Sequence, residues 1–237
     1  MDKFLQGKTA IVTGGTRGIG RAITESLLDA GAAVAICGRS QEAVDRAVKE
    51  LQPRGKVVGH AADVSRPEAV TDFFRFVDGS FDKLDILVNN AGLGVFRSVA
   101  DLTVEDWQTT LETNLSGVFY CCHEAIPRFR KNGGGYVINI SSLAGKNPFA
   151  AGAAYNASKF GLNGFSEALM LDHRNEKIRV SYIMPGSVAT EFGAGGGDDW
   201  KIAPEDIAEL VIDLLRMPER TLVSRLEVRP SRPKKSS

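Results

Sequence analysis

The sequence has little that would tie it to nucleic acid, a membrane or an oxidising compartment. Its 29 Lys and Arg balance 29 Asp and Glu, so the formal net charge is zero. That leaves no electrostatic footprint for nucleic acid or an anionic lipid surface. No apolar run approaches the roughly 18 residues that suggest a membrane span. The opening residues, M-D-K-F-L-Q-G-K-T, hold no apolar signal region. Cysteine is scarce: Cys37, Cys121 and Cys122 are the full set. An odd count without a C-x-x-C pair argues against a disulfide framework and against a zinc site. His60, His123 and His173 lack metal-ligand spacing. No metal centre is expected, and a reducing cytoplasm is the expected location.

What is present fits a folded enzyme-sized chain. Its 237 residues are 43% hydrophobic and 24% charged, which excludes disorder as the main state. The length suits one large α/β domain, expected over residues 1–228. The segment R-P-S-R-P-K-K-S-S, from Arg229 to Ser237, is basic and broken by proline, and is expected to be disordered. The glycine-rich stretch from Phe192 to Asp199 reads as a mobile loop.

Strands and helices alternate along the chain. Strands are expected at Thr9–Thr13, Ala33–Cys37, Lys56–Ala62, Leu84–Asn89, Tyr136–Ile140, Ile178–Met184 and Leu226–Val228. Helices are expected at Arg21–Ala30, Glu42–Leu51, Pro67–Val77, Val104–Lys131 and Ala153–Arg174, with a last one from Pro204 to about Met217. Repeated βα units with short connections predict a doubly wound parallel sheet with helices on both faces. The strands are nearly continuous apolar runs, as parallel strands buried on both faces should be.

Residues 13–20 read T-G-G-T-R-G-I-G between the first strand and the first helix. Gly14, Gly18 and Gly20 allow a tight turn and a close approach to a pyrophosphate. The helix start then offers free N–H groups and its positive dipole end to that anion. The G-x-x-x-G-x-G spacing marks a variant of the Rossmann turn. Gly14, Thr16, Arg17, Gly18, Ile19 and Gly20 are therefore candidate cofactor ligands. An NAD-binding fold usually carries an acid at the end of the second strand. Here that position reads Ile36-Cys37-Gly38-Arg39-Ser40, with arginine and no acid. Arg39, with Arg17 in the turn, suits the 2′-phosphate of NADP.

Tyr155 and Lys159 form Y-x-x-x-K, and four-residue spacing puts both on one helix face. An ammonium close to the phenol is expected to lower the tyrosine pKa and so tune a proton donor. Ser142 closes the fifth strand and can donate to a carbonyl oxygen. The ordered set resembles the short-chain dehydrogenase/reductase family, over about residues 7–190. The motifs that carry the resemblance are T-G-x-x-x-G-I-G, Asp63-Val64, Asn89-Asn90-Ala91-Gly92, Asn114, Ser142, Tyr155, Lys159 and Pro185-Gly186.

The resemblance implies roles. Asp63 would hydrogen-bond the adenine, and Val64 would pack on it. Asn90, Ala91 and Gly92 would line the adenosine ribose. Asn114 would hold a water through a local helix distortion and link Lys159 to solvent. Lys159 would also bind the nicotinamide ribose, while Pro185, Gly186, Val188 and Thr190 embrace the nicotinamide. The function so implied is NADP(H)-dependent hydride transfer between a small carbonyl compound and its alcohol, with Tyr155 as acid and base. A 3-oxoacyl thioester reductase is a narrower alternative, and a dinucleotide-binding regulatory protein without turnover is an alternative of another class. The helices over residues 104–131 and 153–174 carry apolar residues on more than one side, among them Phe119, Phe160 and Leu171. Such a helix must bury a second face, and the resemblance likewise points to a homodimer or homotetramer.

Overall fold

A computed structural model describes residues 3–192 and 199–232. Seven parallel strands form one sheet in the order β3-β2-β1-β4-β5-β6-β7. They are β1 (Thr9–Thr13), β2 (Ala33–Gly38), β3 (Val57–Ala61), β4 (Ile86–Asn89), β5 (Gly135–Ile140), β6 (Ile178–Pro185) and β7 (Arg225–Val228). The helices are α1 (Gly18–Asp29), α2 (Gln41–Leu51), α3 (Pro67–Ser80), α4 (Val104–Leu111), α5 (Gly117–Lys131), α6 (Ala153–His173) and α7 (Pro204–Arg216).

The period-two alternation of each strand divides the core between two faces. Ala10 and Val12 of β1, Val34 and Ile36 of β2, and Ile138 of β5 pack under α1, α2 and α7. Ile11, Ala35, Leu87 and Val137 face the other way, against Phe73 and Phe74 of α3, Phe129 of α5 and Leu162 of α6. The three cysteines belong to this second face and are buried there. The chain leaves β1 toward β2 on one side and later returns to β4 on the other. This reversal opens a crevice beyond the carboxyl ends of the central strands, where ligands bind in such sheets.

The doubly wound α/β reading holds, with differences at element ends. α1 begins at Gly18 rather than Arg21, because the glycine turn closes directly into helix. β4 begins at Ile86, one residue after Asp85, whose carboxylate accepts from the Thr9 N–H (2.9 Å) and Lys8 Nζ (3.0 Å). The long helix read over 104–131 is two helices joined by a π turn at Glu112–Ser116, with Asn114 inside it. Of the segment read as a mobile loop, residues 193–198 lie outside the described residues. Of the basic tail, residues 233–237 lie outside them too. The start of that tail is placed, and Pro230 packs where a Cβ on Gly186 would stand, 3.2 Å away. No described helix is long and apolar enough to cross a membrane.

Candidate active site

The turn after β1 is built on glycine conformations. Gly14 and Gly18 have φ of +65° and +53°, the left-handed region that costs other residues strain. Gly20 is required by contact instead. A Cβ there would lie 2.2 Å from the Gly14 carbonyl oxygen and 2.3 Å from Asn90 Nδ2. Asn90 clamps this turn to the end of β4. Its amide donates to the Thr13 and Gly14 carbonyls at 3.0 and 3.2 Å. The Thr13 hydroxyl oxygen accepts the N–H groups of Asn90 and Ala91, both at 3.0 Å. The start of α1 has no side-chain cap and no acidic residue in its first turn. Its N–H groups and dipole are left for an external anion.

Beyond β2, Ser40 caps α2 through the Ala43 N–H at 3.3 Å. Arg39 is exposed at the crevice edge and has no ion-pair partner among the described residues. Arg17 pairs with Glu191 at 3.1 Å, with both side chains largely in solvent. An exposed pair of this kind is weak, and an incoming anion can displace it. Asp63 Oδ1 is engaged by the Ser65 N–H and hydroxyl at 3.0 and 2.8 Å. Val64 is buried, its carbonyl packed close to Gly117 of α5.

With two exceptions, Gly20 and Asn114, every residue singled out above for cofactor or chemistry lines one cleft of about 1210 Å³. Gly20 lies beneath the turn. Asn114 is fully buried behind the cleft, and its side chain does not reach Lys159. Its Oδ1 accepts from the Leu93 N–H (2.9 Å), and its Nδ2 donates to the Leu93 carbonyl (2.8 Å) and Ser158 Oγ (3.0 Å). The Ser158 hydroxyl in turn donates to the Tyr155 carbonyl at 2.8 Å. The side chain therefore ties the Leu93 loop to the turn of α6 that carries Tyr155. Ser158 is not among the sequence candidates, and its position three residues after Tyr155 is the signal that marks it.

Lys159 is buried and donates from Nζ to the Ile140 carbonyl at 2.9 Å. Burial lowers its pKa to about 8. The expected depression of the Tyr155 pKa is not found. Burial raises it, and the hydroxyl of Ser142 beside it pulls the other way. The physical reason is that desolvating a phenolate is costly. The lysine nitrogen meanwhile sits 5.8 Å from the ring centroid and is held by the Ile140 carbonyl. In this arrangement Tyr155 keeps its proton through neutral pH and can donate it to a developing oxyanion.

Comparison with known proteins decides the family. The short chain dehydrogenase model matches residues 8–199. The chain belongs to that family. An uncharacterized oxidoreductase of Staphylococcus saprophyticus is 32% identical over 232 residues, covering 95% of this chain and 98% of that protein. A 3alpha-hydroxysteroid dehydrogenase of Mediterraneibacter gnavus is 37% identical over 197 residues, covering 82% of this chain and 79% of that protein. Among solved structures, a metagenomic short-chain oxidoreductase in complex with NADP superposes with a TM-score of 0.86 at 35% identity, covering 97% and 99% of the two chains. An alcohol dehydrogenase from the archaeon Thermococcus sibiricus, complexed with 5-hydroxy-NADP, gives 0.89 at 30% identity, covering 96% and 99%. Short-chain dehydrogenases use nicotinamide cofactors. The uncapped α1 terminus and the glycine turn, with Gly14 and Gly18 lining the cleft, fit such a dinucleotide.

The buried Lys159 gives a pH test with a definite sign. Its folded pKa of about 8 lies below the ordinary 10.5. Below pH 8 the folded protein bears the full cost of a buried ammonium, and that cost disappears as pH rises toward 10.5. Lys159→Met is therefore expected to stabilise the ligand-free protein at pH 7 by a few kcal/mol, on the order of 1.4 kcal/mol per pKa unit. The advantage should close between pH 8 and 10.5. Urea unfolding across that range checks it, and a constant difference would contradict the burial cost.

Proposed function

We propose that this short-chain dehydrogenase is an NADP(H)-dependent oxidoreductase interconverting small carbonyl compounds and their alcohols. The observation that carries the reading is the convergence of Ser142, Tyr155 and Lys159 on one cleft whose β2 edge bears Arg39 and no carboxylate. Two structural neighbours hold NADP or 5-hydroxy-NADP, and one relative is named for a hydroxysteroid, which supports both halves of the reading.

The glycine turn and the α1 terminus would hold the pyrophosphate, and Arg39 the 2′-phosphate, with Arg17 joining once freed from Glu191. Asp63 and Val64 would flank the adenine, and Asn90, Ala91 and Gly92 the adenosine ribose. Pro185, Gly186, Val188 and Thr190 would surround the nicotinamide, and Lys159 would meet its ribose. When bound, the nicotinamide supplies or accepts the hydride. Ser142 donates a hydrogen bond to the substrate oxygen. In the reductive direction that oxygen gains negative charge and takes the proton of the Tyr155 hydroxyl, leaving a phenolate. Below about pH 8, Lys159 carries the positive charge that steadies this phenolate. Asn114 acts from behind, through Ser158, to fix the height of Tyr155.

Assembly belongs to the same reading. Phe119 on α5 and Phe160 and Leu171 on α6 are 48%, 45% and 58% exposed, a lateral apolar face left open among the described residues. A two-fold dimer through α5 and α6 would cover it, and pairing of dimers would give a tetramer.

Three outcomes are expected. Tyr155→Phe should lower kcat by about 10²–10⁴ while NADPH affinity changes little, because only the proton donor is lost. Stopped-flow turnover together with calorimetric titration checks both. Arg39→Asp should cut kcat/KM for NADPH by about 10–100-fold and raise that for NADH, since a charged hydrogen bond contributes about 1.5–3 kcal/mol. Wild-type preference for NADH would overturn the arginine argument. Light scattering at micromolar concentration should give a dimer or larger, and a fully active monomer would contradict the assembly.

A further inference from the structure

Three phenylalanines surround the ring of Tyr155, each from a different loop. Phe96 lies in the segment after β4, Phe149 between β5 and α6, and Phe192 after β6. Their ring centroids stand 5.6, 6.4 and 5.8 Å from that of Tyr155. Phe96 and Phe149 also meet each other at 5.7 Å. These are the spacings at which aromatic rings attract one another in tilted and edge-to-face arrangements. Yet all three remain about half exposed, at 44%, 46% and 45%, and all three line the cleft. A core cluster would bury them; this one leaves ring surface open beside the phenol.

The rings are held in place by their backbones. A β-bridge joins Arg97 to Gly152 and pins the Phe96 segment beside the start of α6. The Phe149 carbonyl accepts from Asn156 Nδ2 at 3.0 Å. The Phe192 N–H donates to Thr190 Oγ1 at 3.2 Å, and a second bridge joins Val188 to Ile202. Glycines make room for the rings. A Cβ on Gly94 would stand 2.6 Å from Phe96 Cζ and 3.0 Å from Phe192 Cε1, and one on Gly152 would stand 2.6 Å from the Phe149 ring.

Charge is sorted along the same cleft. Arg39 follows β2, Asp63 follows β3 and Arg17 follows β1, so three charged side chains stand at the dinucleotide end, while Lys159 is buried and held on the Ile140 carbonyl. On the β6 side, Glu191 is turned toward Arg17, and the Lys201 ammonium lies 5.9 Å from the Trp200 ring. The phenylalanines follow β4, β5 and β6 and form the walls nearest Tyr155.

We infer that the substrate carries an aromatic ring on its carbonyl carbon, an aryl ketone or aryl aldehyde and the matching carbinol, seated among Phe96, Phe149 and Phe192. This rests on the reaction proposed above. A flat ring set against their exposed faces and edges gains the tilted and edge-to-face contacts they offer. A saturated ring of the same carbon count fills volume without that geometry. An acyl thioester would place a flexible chain there and leave the rings poorly matched.

The test pairs turnover with binding, so that the two readings can fail separately. Acetophenone, cyclohexyl methyl ketone, 2-octanone and a 3-oxoacyl thioester are reduced with NADPH by wild type and by Phe96→Leu, Phe149→Leu and Phe192→Leu. Calorimetry measures binding of acetophenone and cyclohexyl methyl ketone to the NADP⁺-loaded protein. Acetophenone is expected to exceed cyclohexyl methyl ketone at least tenfold in both kcat/KM and affinity, the scale of a well-placed apolar contact. Each leucine variant should shrink that ratio several-fold with NADPH affinity unchanged. Equal affinity for the two ketones, or preference for 2-octanone or the thioester, would overturn the inference. Selective binding of acetophenone without reduction of any carbonyl would uphold the aromatic site and overturn the proposed reaction.

Discussion

The cleft depends on one close approach, between the end of β4 and the turn after β1. Asn90 holds two carbonyls of that turn at 3.0 and 3.2 Å, and Gly20 passes beneath with no room for a Cβ. Because those carbonyls are satisfied from the β4 side, the turn can direct its N–H groups the other way, toward the crevice. A methyl group on Gly20 would have to displace the Gly14 carbonyl or the Asn90 amide, the two partners of this clamp. The topological reversal at β1 supplies a crevice. The Asn90 clamp gives that crevice a surface fit for an anion.

The chemical end of the site is organised by burial more than by paired charge. Lys159 and Tyr155 both leave water, and each is pushed toward its neutral form. Two groups that resist charging form a poor acid–base pair at rest and a responsive one once a polar ligand enters. A new negative charge on either the ligand or the phenol is then felt at low dielectric, where ion–ion terms are large. The Asn114–Ser158 relay has its hydrogen bonds filled by protein groups, so it serves to fix position.

Much of this was legible in the sequence because it is local. The glycine turn, the four-residue spacing of Tyr155 and Lys159, and the missing acid after Cys37 each lie within a few residues. The parallel sheet with helices on both faces follows from βα alternation and short connections, whereas its strand order comes from the structure. What the sequence withheld is contact between distant segments. The Asn114 side chain reaches Leu93 and Ser158 across 21 and 44 residues, and no periodicity announces such a pairing. The π turn at Glu112–Ser116 is announced only by the resemblance, which implies a helix distortion at Asn114, because the apolar spacing on both sides stays helical. The Tyr155 pKa departs from its sequence expectation because spacing reports that two groups share a face and says nothing of the water they lose. The aromatic walls come from three loops, where period carries no information at all.

The three cysteines, unremarkable as chemistry, turn the fold into its own strain gauge. Burial pushes the Cys37 and Cys122 thiols up to about 12, and Cys121 is raised as well. With neither thiolate nor solvent access, none can react with an alkylating reagent while β2 and α5 stay seated on the sheet. Labelling of the native protein therefore counts departures from the folded state, and it reports them from one place, the core cluster that Cys37 of β2 shares with Cys121 and Cys122 of α5. A ligand that tightens the seating of α5 on the sheet would slow all three labels together, measuring rigidity without any engineered probe.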